Sequence, residues 1–89
     1  MEIRFLRAAY KFLQKCDYAL YLKIEREAEK IGKDPYLNKP LTGKLKPIRT
    51  HHFFFKRSAY RIAYKIEKDI IVIMIATREN FYEKLEQRL

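Results

Sequence analysis

The sequence predicts a single α+β domain with helices packed on one face of a small antiparallel sheet. A chain of 89 residues is too short to close two cores, so we expect one domain spanning residues 1–89. Hydrophobic residues make up 48% of the chain, which is enough for a core. Apolar residues recur at helical spacing before residue 34 and alternate as in strands after residue 47.

The chain is expected to begin with a short strand and a helix. Residues 1–5 place Ile3 and Phe5 on one face of a strand. From Leu6 onward the apolar residues follow one helical stripe, formed by Ala9, Phe12, Leu13 and Cys16. The lone Cys16 therefore indicates a small buried hydrophobic residue in a reduced environment, rather than a nucleophile.

A second helix follows and forms a hairpin with the first. Asp17 is a suitable N-cap, and Gly32 followed by Pro35 predicts its end. The mixed charges of residues 23–30 are expected on its exposed face. The buried face comprises Leu20, Tyr21, Ile24, Ala28 and Ile31.

Three antiparallel strands and a short helix complete the predicted order. A loop at residues 34–43 precedes strands at 48–56, 60–66 and 70–76, and the last of these is apolar throughout, as in a central strand. Residues 67–69 form a polar turn. Thr77 or Asn80 is expected to cap the closing helix, whose inner side carries Phe81, Leu85 and Leu89.

Nearly all of the net charge of +9 is concentrated in residues 39–65, which contain eight Lys and Arg and no Asp or Glu. Tyr, Phe and His alternate with these cations. Such a window suits a phosphate backbone, although solvated basic faces are also common on protein surfaces. No apolar run is long enough to span a bilayer and no secretion leader is seen, so we expect a cytoplasmic protein without membrane contact.

Three side chains outside the predicted core are candidates for chemistry. Arg61 projects from a strand beside the small Ala63 and suits a bidentate phosphate contact, although it also suits simple solvation. Arg78 follows the central strand and has carboxylates nearby in sequence. Tyr82 lies one helical turn later, where it either shares a surface with Arg78 or joins the core beside Phe81.

His51 and His52 are the only histidines, and strand alternation points them to opposite faces. Flanking cations are expected to lower an imidazole pKa, which favours a neutral base near pH 7. A metal site is not expected, because one Cys and no clustered His or paired carboxylates offer ligands at suitable spacing.

The run KRSAYRIAY at residues 56–64, the apolar residues 71–75 and RENFY at 78–82 together resemble the signature of the RelE/ParE toxin superfamily. The sequence PLTG at residues 40–43 and the helix hairpin are also similar to that family. The resemblance covers nearly the whole chain. It implies a toxin of a type II toxin–antitoxin system.

RelE-like members of the superfamily cleave mRNA in the ribosomal decoding site without a metal, by attack of the RNA 2′-hydroxyl on the adjacent phosphate. The resemblance therefore implies an endoribonuclease that needs no cofactor. In it, Arg61 clamps the phosphate, Arg78 stabilises the transition state or protonates the leaving group, and Tyr82 stacks on or orients a nucleotide.

The identity of the general base differs from the family pattern. The best-known members carry two lysines on this strand, where the present chain has His52 and Phe54, and Thr77 stands where many relatives have a histidine. His52 is our first candidate and Lys56 our second, because both are expected on the same strand face.

The resemblance also implies partners: a RelB-like antitoxin, the ribosome and mRNA. The apolar tail around Phe81, Leu85 and Leu89, with the cationic face, is the expected antitoxin contact. Two other functions remain open, a ParE-like inhibitor of DNA gyrase and a non-catalytic RNA-binding or ribosome-associated protein. Further RNA contacts are expected from Lys44, Lys46, Arg49, His51, Arg57 and Lys65.

Overall fold

The structure, a computed structural model, describes residues 1–89 and confirms the α+β class. None of its helices has the length and apolar character needed to cross a membrane. In chain order the elements are β1 (Ile3–Phe5), α1 (Arg7–Lys15), α2 (Tyr18–Lys33), a 3₁₀ turn (Gly43–Leu45), β2 (Ile48–Phe55), β3 (Ser58–Ile66), β4 (Ile70–Thr77) and α3 (Phe81–Gln87).

The four strands form one sheet in the order β1-β4-β3-β2. β2, β3 and β4 are antiparallel, and β1 pairs in parallel with the first residues of β4. The interior position of β4 agrees with its apolar sequence. A β-bulge opposite Ala63 and Tyr64 places the consecutive residues Ile73 and Met74 in the same apolar cluster.

The two faces of the sheet are covered to different extents. On the first, which we call the helix face, α1 and α2 pack on Ile62, Tyr64 and Val72. The second, which we call the open face, is covered only in part by α3, through buried Phe81 and Leu85. The expectation that all helices pack on one face is therefore wrong for α3. Leu89 is 64% exposed and does not join the core.

The start of α2 agrees with the prediction, but its end does not. The Asp17 carboxylate accepts a hydrogen bond from the Leu20 amide at 2.8 Å, as an N-cap should. Gly32 does not stop the helix, which continues to Lys33 and is closed by Asp34. Ile31 is fully buried, so tertiary packing holds the last turn in helical form despite the glycine.

A two-residue turn joins β2 to β3. Both of its residues, Lys56 and Arg57, have positive φ, at 46° and 70°. Side chains other than Gly, Asn and Asp rarely adopt this conformation, although it matches the twist of a hairpin. Because β2 ends at Phe55, the prediction that Lys56 shares a strand face with His52 is wrong. The Lys56 ammonium instead lies 5.3 Å from the centre of the Phe55 ring.

Candidate functional site

His52 and Arg61 lie directly opposite each other on β2 and β3, on the open face. His52 is exposed, and its Nε2 lies 3.1 Å from the hydroxyl oxygen of Thr50, which is on the same strand and face. Desolvation and the neighbouring charges of Arg61 and His51 lower the pKa of His52. The imidazole is therefore neutral near pH 7, beside a fixed cation.

The Arg61 guanidinium lies between the sheet and α3. Its central carbon is 5.2 Å from the centre of the Tyr82 ring and 5.9 Å from that of Phe81. Phe81 is buried and contacts Tyr82 edge-on, so it supports the outer ring from below. Tyr82 is 37% exposed. It therefore belongs to the site surface rather than to the core, with Arg61 held against it by cation–π contacts.

A cleft of about 340 Å³ opens at the hairpin end of the open face. It is lined by Arg57, Arg78, Glu79 and Phe54, among others. Arg78 is exposed and forms no ion pair, so neither Glu79 nor Glu83 neutralises it. Its backbone is fixed by a 3.0 Å hydrogen bond from the Arg78 amide to the Ala59 carbonyl. Two free cations therefore border one cleft.

Two residues of this surface were not among the predicted site residues. Thr50 and Phe54 alternate with His52 along β2 and so share its face. The Phe54 side chain is 73% exposed, next to the hairpin turn near the end of β2. Strand alternation predicted Phe54 on the face of His52 and would have placed Thr50 there as well, because a strand brings every second side chain to the same face.

His51 lies on the helix face and is buried at 5% exposure. Its Nε2–H donates to a Glu27 carboxylate oxygen at 2.7 Å, and its Nδ1 accepts from the Asn38 amide at 2.9 Å. Asn38 also donates to the Tyr64 hydroxyl at 3.2 Å, which donates to the Pro35 carbonyl at 2.8 Å. With both ring nitrogens occupied, His51 is not available to RNA, and its predicted RNA contact is wrong.

Glu27 anchors this buried network, although its sequence neighbourhood suggested an exposed face. It is 3% exposed and receives hydrogen bonds from His51, Lys23 and Lys30. Burial opposes ionisation of the carboxyl, but these three donors outweigh it and lower its pKa to about 2. The network links α2, the loop after it, and strands β2 and β3.

Residues 39–65 contain no Asp or Glu, and we call them the acid-free window. The other cations of this window lie in several different parts of the fold. The Arg49 guanidinium donates to the Asn38 carbonyl at 2.6 Å and covers the Tyr36 ring on the helix face. Lys46 is exposed after the 3₁₀ turn. Two further cations form ion pairs, Lys44 with Glu86 at 3.2 Å and Lys65 with Glu67 at 3.0 Å.

The apolar tail predicted to contact an antitoxin is occupied within the fold. Phe81 and Leu85 are 1% and 0% exposed and form a core cluster with Ile48, Ala63 and Met74. They are not a free surface in this structure, whereas Leu89 is 64% exposed, and the antitoxin contact stays a prediction.

Comparisons with solved structures give the same fold. A chain of the toxin–antitoxin complex RelBE2 from Mycobacterium tuberculosis superposes with a TM-score of 0.70 at 21% identity, covering 85% of this chain and 88% of that one. The isolated RelE toxin of E. coli gives 0.67 at 17% identity, covering 98% and 97%. A conserved hypothetical protein from Helicobacter pylori gives 0.57 at 19% identity, covering 88% and 94%.

No curated protein matches the sequence. The model of one family, described as the ParE-like toxin of type II bacterial toxin-antitoxin systems, matches residues 3–86. This match spans every strand and almost all of the last helix. The chain therefore belongs to the ParE-like toxin family, within the RelE/ParE superfamily, and is a toxin of a type II toxin–antitoxin system.

Proposed function

We propose that this toxin is a ribosome-dependent mRNA endoribonuclease that stops translation. The observation that supports it best is the pairing of His52 with Arg61 on the open face, next to an exposed Tyr82. A neutral imidazole beside a fixed guanidinium supplies a base and a phosphate-binding cation within one small area. Cleavage of this kind requires no metal or cofactor.

His52 is the general base in this mechanism. If its Nε2–H donates to the Thr50 hydroxyl, Nδ1 carries the lone pair that accepts the proton of the RNA 2′-hydroxyl. The 2′-oxygen then bonds to the adjacent phosphorus while the bond to the 5′-oxygen breaks. The products are a 2′,3′-cyclic phosphate and, after protonation, a free 5′-hydroxyl.

The two arginines act on the phosphate in different places. Arg61 binds the phosphate that is attacked, and its contacts with Tyr82 and Phe81 limit its movement. Arg78, at the cleft, stabilises the developing charge or protonates the leaving 5′-oxygen. Tyr82 stacks on a nucleotide next to the cleaved bond.

The hairpin turn supports an RNA-binding role for its two cations. Lys56 and Arg57 occupy positive-φ positions, where Asn and Gly would be more stable. Unfavourable backbone conformations of this kind persist mostly where side chains have a function. They form an exposed basic rim at the tip of the hairpin that binds ribosomal RNA, and exposed Lys46 adds a cation at the other end of β2. The toxin acts in the cytoplasm and is held inactive by a RelB-like antitoxin.

The proposal is tested by inducing the protein in growing bacteria and mapping mRNA 5′ ends by primer extension. We expect growth arrest with new 5′ ends inside translated messages, and recovery of growth for Arg61→Ala or Arg78→Ala. The variants need melting temperatures close to that of the wild type, so that loss of folding is excluded.

Three results would contradict part of the proposal. Intact messages together with damaged DNA would indicate a ParE-like inhibitor of DNA gyrase. Intact messages with normal growth would favour a non-catalytic RNA-binding protein. Equal cleavage of naked RNA and of translated messages would keep the endoribonuclease but remove its dependence on the ribosome.

A further inference from the structure

A groove of about 550 Å³ runs along the outer edge of β4, between α1 and α3. β1 pairs with β4 only as far as Val72, so the edge from Ile73 to Thr77 has no strand partner on this side. Met74, Ile75 and Ala76 line the floor of the groove. The sheet therefore ends here in an unpaired strand edge that lies in a depression.

Five cations and no acidic residue line this groove. Three follow one stripe of α1 at intervals of four residues, and two come from the end of α3. None of the five forms an ion pair. They are Arg7, Lys11, Lys15, Lys84 and Arg88.

Like charges four residues apart on a helix destabilise it. A set of unpaired cations around one groove creates a positive potential that attracts an anionic partner. The groove lies along the outer edge of β4, whereas the proposed general base His52 and phosphate-binding Arg61 lie on β2 and β3. A partner could therefore occupy it without covering His52 or Arg61.

The floor of the groove favours a polypeptide over a nucleic acid. An unpaired strand edge offers backbone donors and acceptors in the spacing that another extended chain can satisfy. The apolar side chains of Met74 and Ile75 beside it suit the alternate residues of such a chain. Phe12 is the one aromatic residue in the lining, so bases would find little to stack on.

We propose that the β4 groove binds an extended acidic polypeptide segment, which pairs with the strand edge and places its carboxylates against the five cations. That the segment belongs to the antitoxin rests on the proposed function, whereas the chemistry of the groove does not. The binding site differs from the apolar tail suggested by the sequence, and it lies outside the acid-free window.

The test measures fluorescence anisotropy of a labelled ten-residue peptide of alternating Glu and Val with the full chain. We expect Lys11→Glu combined with Lys84→Glu to weaken binding at least about tenfold. Arg7→Glu combined with Lys15→Glu should do the same. The matched control, Lys33→Glu combined with Lys68→Glu, changes the net charge equally on exposed residues elsewhere and should have an effect of less than about threefold.

If the control pair weakens peptide binding equally, only the net charge matters, and the proposed binding site in the groove is rejected. A peptide methylated at alternate backbone nitrogens should lose binding, and unchanged affinity would refute the strand pairing. Stronger binding of hexauridylate than of the peptide, removed by the same groove variants, would assign the groove to nucleic acid instead.

The two proposals fail separately. Loss of peptide binding in the Lys11→Glu and Lys84→Glu variant should leave mRNA cleavage intact, because neither residue lines the cleft at Arg78 or contacts Arg61. If wild-type protein cleaves no message but still binds the peptide through the groove, the endoribonuclease is rejected and the groove is retained. If cleavage occurs but the peptide does not bind, the groove alone is rejected.

Discussion

His51 and His52 are adjacent in sequence, yet they lie in opposite environments. His51 is buried on the helix face, with both ring nitrogens bonded to Glu27 and Asn38. His52 is exposed on the open face, with one nitrogen near Thr50 and Arg61 across the strand pair. The difference shows that the pleat of a strand, rather than residue type, assigns one imidazole to the buried network and the other to the open face, where we propose that it acts as a base.

The largest expected effect comes from replacing each of the two histidines by alanine and comparing the two variants. His52→Ala should lower mRNA cleavage by about 10²–10⁴-fold, because it removes the proposed general base, and should leave stability nearly unchanged. His51→Ala should instead destabilise the fold by about 3 kcal/mol, since it empties a packed site and leaves Glu27 and Asn38 short of a partner. Single-turnover cleavage on programmed ribosomes and urea unfolding measure the two effects. Comparable loss of cleavage without loss of stability in both variants would contradict the comparison.

Arg61→Ala should reduce cleavage by about 10²–10³-fold, through loss of charge stabilisation at the phosphate. Arg49→Ala is the matched control on the same hairpin, because Arg49 lies on the helix face and bonds to Asn38. That variant should lose about 1–2 kcal/mol of stability and keep its cleavage rate once folded. If Arg49→Ala abolishes cleavage as fully as Arg61→Ala does, the open face is not the site of the reaction.

The Glu27 network predicts a dependence of stability on pH. Because folding lowers the pKa of Glu27 from 4.5 to about 2, the ionised carboxyl stabilises the fold above pH 4.5 by about 3 kcal/mol. This contribution is lost as the pH falls from 4.5 toward 2. Glu27→Gln should therefore unfold more easily than the wild type at pH 7, and the two should converge near pH 2. Urea midpoints between pH 2 and 7 provide the measurement, and a constant difference across that range would rule out the linkage.

A smaller effect concerns the Thr50 hydroxyl. Thr50→Val removes the group near Nε2 of His52 and should lower cleavage by about tenfold, because the ring tautomer is no longer fixed. Thr50→Ser keeps a hydroxyl and should restore most of the rate. In the wild type, the apparent pKa of the acid limb of the pH–rate profile should lie below the ordinary pKa of a histidine, because the pKa of His52 is lowered. An apparent pKa at the ordinary histidine value in the wild type would contradict the proposed role of His52 as the base.

Much of this arrangement could be predicted from local patterns. Alternation separated the two histidines and placed Arg61 on the face opposite the apolar residues of β3. The N-cap at Asp17 and the interior position of β4 were also correct. Each of these features depends on residues within one element, so the sequence contains the necessary information.

The features that were missed depend on contacts between distant segments. Glu27 looked like part of a charged helix surface because its partner, His51, lies 24 positions away. The β4 groove combines cations from the first and last helices, neither of which belongs to the acid-free window. Lys56 was misplaced because its sequence carries none of the Asn or Gly residues that usually identify a tight hairpin turn.

The turn at Lys56 and Arg57 has a consequence for the reaction itself. A two-residue turn fixes which residue of β2 faces which residue of β3, and so sets His52 against Arg61. A slip of one position would exchange the faces, bury His52 beside Glu27 and present His51 to solvent. The backbone geometry at the tip of the hairpin thus decides, from four residues away, which of two identical side chains reaches the open face as the proposed base.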